Sequence, residues 1–169
     1  MHRLLREQEK LDRPDTAVQK FTSNDTFITS WGSTGIADGQ FVSPGGVAVD
    51  SKGNVYVADF GYTDRIQKFD GNGNFVMKWG SAGTGNGQFN GPVGIRSDSN
   101  GSIYVVDGGN DRVQKFDGNG NFVTKWGSTG SGDGQFNRPA GIAINSKGLV
   151  YVAETNNARV QIFAPSTSK

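Results

Sequence analysis

The sequence predicts an all-β fold of small antiparallel sheets set side by side, and three observations predict it. The first is a repeat. Val18-Gln19-Lys20-Phe21, Ile66-Gln67-Lys68-Phe69, Val113-Gln114-Lys115-Phe116 and Val160-Gln161-Ile162-Phe163 succeed one another at steps of 48, 47 and 47 residues. Trp31, Trp79 and Trp126 keep the same step, as does Gly-Gln-Phe starting at Gly39, Gly87 and Gly134. The second observation is that each period holds four short runs of β-branched and aromatic residues, the composition of strands. The third is the Gly, Asn, Asp and Ser between those runs, which supply turn geometry. A fixed period of this length marks a solenoid, a propeller or an array.

The elements follow in order. Residues 1–16 stand outside the repeat. Leu4–Leu11 has good helix formers with Leu4, Leu5 and Leu11 on one face, and Pro14 ends any helix before it. That stretch reads as a short helix or tail, or as a helix covering an open sheet end or a partner subunit. Val18–Phe21 and Phe27–Trp31 then read as two strands around the polar turn 22–26. A complete unit follows in Val47–Val49, Val55–Val57, Ile66–Phe69 and Phe75–Trp79, here lettered a, b, c and d. The c–d link Asp70-Gly71-Asn72-Gly73-Asn74 contains Asn-Gly, which favours positive φ in a tight hairpin. The next unit uses Ile95, Ile103–Val105, Val113–Phe116 and Phe122–Trp126. The last uses Ile142–Ile144, Val150–Val152 and Val160–Phe163, with Ala164-Pro165 where a c–d turn would stand.

Four antiparallel strands in roughly 47 residues fit a propeller blade. The motifs Pro44-Gly45-Gly46-Val47-Ala48-Val49-Asp50, Gly53-Asn54-Val55-Tyr56-Val57-Ala58-Asp59 and Arg65-Ile66-Gln67-Lys68-Phe69 recur in phase over residues 18–163. They resemble the NHL-repeat family, whose members usually close as six-bladed β-propellers. The resemblance implies a repeat region over 17–169: a partial blade at 17–41, blades at 42–89 and 90–136, and a partial blade at 137–163. A blade packs both faces against neighbours, so a short open row leaves two apolar faces and its strand edges bare. Two chains fit the strand count. The a-b-c end of one meets the c-d start of the other, giving six blades in a two-fold homodimer in which one strand c per junction is redundant. The other explanation of the strand count is that the sequence is a piece of a longer chain.

Composition narrows function more than it names it. Lys plus Arg number 17 against 16 acidic residues, so no net field favours nucleic acid or an anionic membrane. There is no cysteine, hence no disulfide or thiol chemistry. No apolar run approaches the roughly 20 residues that span a bilayer. The chain reads as soluble, and as cytoplasmic where Met1 is the native start; otherwise it reads as a piece whose targeting signal is missing. The only histidine, His2, lies in the tail, so the repeats hold no His-rich zinc site and no Ser-His-Asp triad of their own. No cofactor is expected. Asp70–Asn74 and Asp117–Asn121 echo a calcium loop but lack its distal bidentate Glu, so they read as hairpin turns ahead of a weak calcium site.

In a meander of this kind the d–a and b–c loops emerge at one end, and they are the longer ones. That end is the expected binding face. Asp59, Asp107 and Glu154 end strand b, and Arg65, Arg112 and Arg159 open strand c. A bidentate ion pair across each b–c turn would fix the loop. The alternative is that two of the carboxylates converge at a channel mouth as acid, base or nucleophile, with Glu154 first because it is the only Glu in the repeats. Departures from the repeat add Arg96, where other units have Ala48 and Ala143, and Phe60 with Tyr62 in one b–c loop. Arg96 reads as a channel-lining charge, a snorkelling side chain or a partner of Asp98. Two functions follow. One is a binding module whose loop face takes a protein, peptide or glycan through Arg96, Phe60, Tyr62, Arg65, Arg112 and Arg159. The other is a small propeller hydrolase, glycosidase-like or lactonase-like, using Glu154, Asp107 or Asp59.

Overall fold

A computed structural model of the chain describes residues 16–164. His2 and the helix expected within Leu4–Leu11 lie outside the described residues. Thirteen strands form four antiparallel sheets among the described residues. The first sheet is the hairpin β1 (Val18–Phe21) and β2 (Phe27–Trp31). The second runs β3 (Ser43–Val49), β4 (Val55–Phe60), β5 (Arg65–Phe69) and β6 (Phe75–Trp79). The third runs β7 (Pro92–Ser97), β8 (Ile103–Asp107), β9 (Arg112–Phe116) and β10 (Phe122–Trp126). The fourth has β11 (Pro139–Ile144), β12 (Val150–Glu154) and β13 (Arg159–Phe163). Each strand pairs with its neighbour in sequence, and the sheets are blades of a partial β-propeller. No helix among the described residues is long and apolar enough to cross a membrane.

Strand a is longer than the apolar pattern suggests. It begins at Ser43, Pro92 or Pro139 rather than at the first β-branched residue. The Pro-Gly stretch pairs with the end of strand b across a bulge: Pro44 faces Asp59, and the register then shifts before Gly46. A proline is tolerated because it opens the strand or stands one residue in, on an edge strand.

The core lies between the sheets. Strand b is inside its blade and inside the stack, so every residue of Val55–Asp59 and of β8 is buried. Blade 1 meets blade 2 through Val18, Val55, Val57 and Phe69. Blades 2 and 3 share Tyr56, Ile66, Ile95, Ile103 and Phe116, and blades 3 and 4 share Tyr104, Val113, Ile142 and Val152. Phe41, Phe89 and Phe136 of the d–a loops are fully buried in these layers.

Three contacts between blades repeat. The indole of strand d lies over the c–d turn of the following blade, so a Cβ on Gly73 would stand 2.6 Å from the Trp31 ring and one on Gly120 2.9 Å from Trp79. The lysine of strand c reaches the same turn: Lys20 Nζ donates to Gly71 O at 3.0 Å and Lys68 Nζ to Gly118 O at 2.8 Å. Along the inner strands, Gly46 and Gly94 let the next blade's backbone close in, at the carbonyls of Val93 and Ala140 respectively. At the second blade the packing is missing on one side, because the first blade has no strand a among the described residues. Val47 is 43% exposed, whereas its counterparts Ile95 and Ile142 are 3% and 9% exposed.

Candidate functional site

The three carboxylates sit at one end of the blades, where Asp59, Asp107 and Glu154 pair with Pro44, Pro92 and Pro139 of strand a. Strand c opens beside them, with Arg65, Arg112 and Arg159 opposite the same residues. The geometry of the pair differs from a bidentate bridge. Each guanidinium meets its carboxylate through Nε alone, at 3.2, 2.7 and 2.7 Å. The two terminal nitrogens turn to backbone carbonyls of the preceding d–a loop. Arg112 bonds Thr84, Gly85 and Gln88, and Arg159 bonds Ser131, Gly132 and Gln135 in the same way. Arg65 likewise takes Ile36, Ala37 and Gln40. The sequence gives no hint of this because the acceptors are main-chain atoms, placed only when the loop folds.

A glutamine completes each cluster. Gln67, Gln114 and Gln161 donate to the carbonyls of Gln40, Gln88 and Gln135 and accept from the amides of Gly39, Gly87 and Gly134. Their signal was present in the Gln of every strand c and the recurring Gly-Gln-Phe. Each carboxylate accepts from four donors. Asp59 accepts from the amides of Val42 and Ser43 with one oxygen, and from Arg65 and Thr63 with the other. Asp107 accepts from the Asn90 amide, Arg112, Asn110 and Gln114. Glu154 accepts from the Asn137 amide, Asn157, Arg159 and Gln161.

Burial pushes the Glu154 carboxyl up, but hydrogen bonds from Arg159, Gln161, Asn157 and the Asn137 amide outweigh it and hold it below the ordinary glutamate value. A carboxyl lowered on folding stabilises the fold above its unfolded pKa and loses that contribution as pH falls through the folded one. The stability lost in Glu154→Gln is therefore expected to be greatest above about pH 5 and to shrink towards pH 3. Urea midpoints of both proteins across that range check this; a difference that does not change with pH contradicts it.

The remaining expected residues part company. Phe60 lines a hollow of about 510 Å³ on the loop face with Val93, Gly108, Gly109, Asp111 and Arg138. Tyr62, in the same b–c loop, is 95% exposed. Arg96 lies next to the last residue of β7, at the a–b end of the strand, and donates to Ile142 O at 3.3 Å. It is thus away from Phe60. Asp98 bonds Tyr104 Oη at 3.1 Å and stands 3.9 Å from Lys115. The hairpin aspartates Asp70 and Asp117 spend their oxygens on the turn itself, accepting from Asn72 and Asn74 and from Asn119 and Asn121.

Two loop-face residues escaped the sequence reading. Ile36 is 68% exposed where the other units have Thr84 and Ser131. Arg138 holds φ at 52°, where the preceding unit has Gly91 at 66°. A bulky residue in that region costs about 1–3 kcal/mol and is held here by its amide donating to Asp111 Oδ1 at 2.8 Å. Both were visible as breaks in the repeat, an apolar residue for a hydroxyl and a charge for a glycine.

No curated protein matches the chain. Among solved structures it superposes on a streptogramin B lyase with a TM-score of 0.61 at 15% identity, covering 90% of this chain and 49% of that one. It superposes on the WD40 β-propeller domain of Doa1 with a TM-score of 0.62 at 17% identity, covering 90% of this chain and 45% of that one. The chain thus spans about half the length of each, and the likeness is one of fold. The NHL-repeat model matches residues 41–69, 89–116 and 136–163, which together make half of the sequence. Each match runs from the buried loop Phe through strand c and takes in the carboxylate, arginine and glutamine of one cluster: the chain belongs to the NHL-repeat family.

Proposed function

We propose that this chain is a non-catalytic binding module, with the repeat region 17–169 as the working unit, residues 1–16 as an appended tail, and the loop face as the surface that meets a protein or peptide. The observation that carries this reading is the saturation of the carboxylates. Asp59, Asp107 and Glu154 accept hydrogen bonds on both oxygens from fixed donors. A general acid needs a raised pKa and a nucleophile needs a free lone pair. Glu154 has the opposite shift. The clusters therefore read as rivets that stiffen the loop face, with Arg65, Arg112 and Arg159 as scaffold rather than ligand contacts.

The groups left to a ligand are Tyr62, Ile36, the Phe60 hollow and the exposed Arg138 at its rim. An aromatic and an aliphatic side chain held on a stiff frame suit a protein contact, and the Arg138 guanidinium at the rim of the Phe60 hollow suits a carboxylate. We read the partner as an acidic peptide segment with an apolar anchor. A random peptide library panned on the intact protein tests this. The selected peptides are expected to carry Asp or Glu beside an apolar residue, and to bind at least about 10-fold more weakly to Tyr62→Ala and Arg138→Ala. Selected peptides that bind both variants undiminished contradict the reading. Turnover of an ester, lactone or glycoside that is lost in a folded Glu154→Gln also contradicts it, and favours the hydrolase.

A second copy is read as completing the ring. The exposure of Val47 supports it, as does Gly141, which repeats the close-approach glycines Gly46 and Gly94 although, among the described residues, Ala153 of its own sheet is the only neighbour within 4 Å of a Cβ there.

A further inference from the structure

The shared blade of such a ring needs one strand c, and two are on offer, β1 and β13. The structure holds them very differently. Strand β13 is riveted: Arg159 bonds Glu154, Ser131, Gly132 and Gln135, and Gln161 bonds Glu154, Gln135 and Gly134. Strand β1 has Ala17 where the others have arginine, and its Gln19 is exposed. Beyond its pairing with β2 and the Phe21–Phe27 ring contact, β1 is held by Val18 against the next blade, the Lys20 bond to Gly71 O, and Thr16 Oγ1 against Thr34 Oγ1 at 2.6 Å. In competition for one position, β1 is the strand that yields.

The turn between β1 and β2 leads to the same conclusion independently. Its Asp25 has φ of 62°, the position that Gly73 and Gly120 fill in the other c–d turns. There a Cβ would lie within 3 Å of the Trp31 or Trp79 ring. An intact β1–β2 hairpin seated on the fourth blade would bring the Asp25 Cβ onto Trp126 in the same way. Strand β2 freed from β1 no longer has to make that turn.

The seat for β2 is already shaped. Strand β13 has no outer neighbour among the described residues, and beside it lies a hollow of about 620 Å³ lined by Tyr104, Lys115, Trp126, Val150 and Phe163. In the complete blades, the phenylalanine that opens strand d packs edge-on to the phenylalanine that ends strand c, with centroids 6.1 Å apart in Phe69–Phe75 and Phe116–Phe122. Phe163 lacks that partner among the contacts described for it, whereas Phe27 of β2 makes the same edge-on contact with Phe21 at 5.8 Å, so the exchange would trade Phe21 for Phe163.

Resting on the two-copy reading above, we infer that the ring closes by strand exchange: β2 leaves β1 and pairs antiparallel with the free edge of β13 in a second copy. The register of the existing pairs sets Val160 opposite Trp31, Ile162 opposite Thr29 and Phe163 opposite Phe27, as Val113, Lys115 and Phe116 face Trp126, Thr124 and Phe122. Phe27 then enters the hollow. The exchange gives up the Lys20 bond to Gly71, since Ile162 has no amine to replace it.

The chain has no cysteine, so engineered pairs report cleanly. Gln19→Cys with Ser30→Cys, which face each other in the hairpin, locks β2 to β1 when oxidised. Thr29→Cys with Ile162→Cys places one thiol on each side of the proposed junction. The expected result is a dimeric wild type, a folded monomer for the oxidised lock that returns to dimer on reduction, and a covalent dimer from the second pair. If the oxidised lock stays dimeric and the second pair gives no cross-link, strand exchange is overturned while the dimer stands. If wild type itself is a monomer, both are overturned. Thermal melts of each oxidised and reduced variant separate a lock that blocks exchange from one that unfolds the protein.

Discussion

Arg112→Ala is expected to destabilise the protein by about 3–5 kcal/mol, a large share of the roughly 5–15 kcal/mol that keeps an ordinary domain folded. The reason lies in what the side chain leaves behind. Asp107 is fully buried and would lose the guanidinium beside it, while the carbonyls of Thr84, Gly85 and Gln88 would together lose the hydrogen bonds that guanidinium gives them. Arg112→Lys is not a conservative change here, because a single ammonium cannot reach the carboxylate and three carbonyls that the planar fork serves. The exposed pair Lys78–Asp38 is the contrasting case. It is as short, at 2.6 Å, but about half of each side chain is in water, so Lys78→Ala is expected to cost no more than about 1 kcal/mol. Urea unfolding of the two variants measures both. A loss under about 1 kcal/mol for Arg112→Ala would remove the rivet from the account of how the loop face is held.

Gly120→Ala is expected to cost about 2–4 kcal/mol, combining strain at positive φ with overpacking. Its φ is 79° and its Cβ would lie 2.9 Å from the Trp79 ring, which is itself packed against Phe116 at 5.7 Å. Gly101→Ala isolates the two effects. Its φ is 80°, and nothing among the described residues lies within 4 Å of a Cβ there. That variant is expected to lose only about 1 kcal/mol, the backbone part. The difference between the two measures how tightly the indole of one blade closes on the turn of the next. Equal losses would mean that the tryptophan yields freely, and the steric objection to seating an intact β1–β2 hairpin would fall with it.

The architecture was legible because a propeller repeats its physics along the chain. Strand d was readable to the residue, since Phe75–Trp79 and Phe122–Trp126 are bounded by Asn and Gly on either side. Strand a was read short, because its first half is Pro-Gly and pairs through main-chain atoms that carry no apolar signature. The site was legible in part. The carboxylate and arginine at each b–c turn were visible as a recurring pair, but their use was not. Whether an oxygen is free or taken depends on loop amides such as those of Val42, Asn90 and Asn137, and any residue can supply an amide. Ile36 and Arg138 were overlooked for a different reason. Each is a single substitution in a loop, and only the fold tells that one stands in solvent and the other at the rim of a hollow.

In the proposed ring, a second copy finishes the row of blades. Sedimentation equilibrium of the wild-type chain at micromolar concentration tests this most directly. The prediction is a single species with twice the mass of one chain. A species of one-chain mass would contradict it, because the chain would then leave Val47 and the edge of β13 bare in preference to pairing them with a second copy.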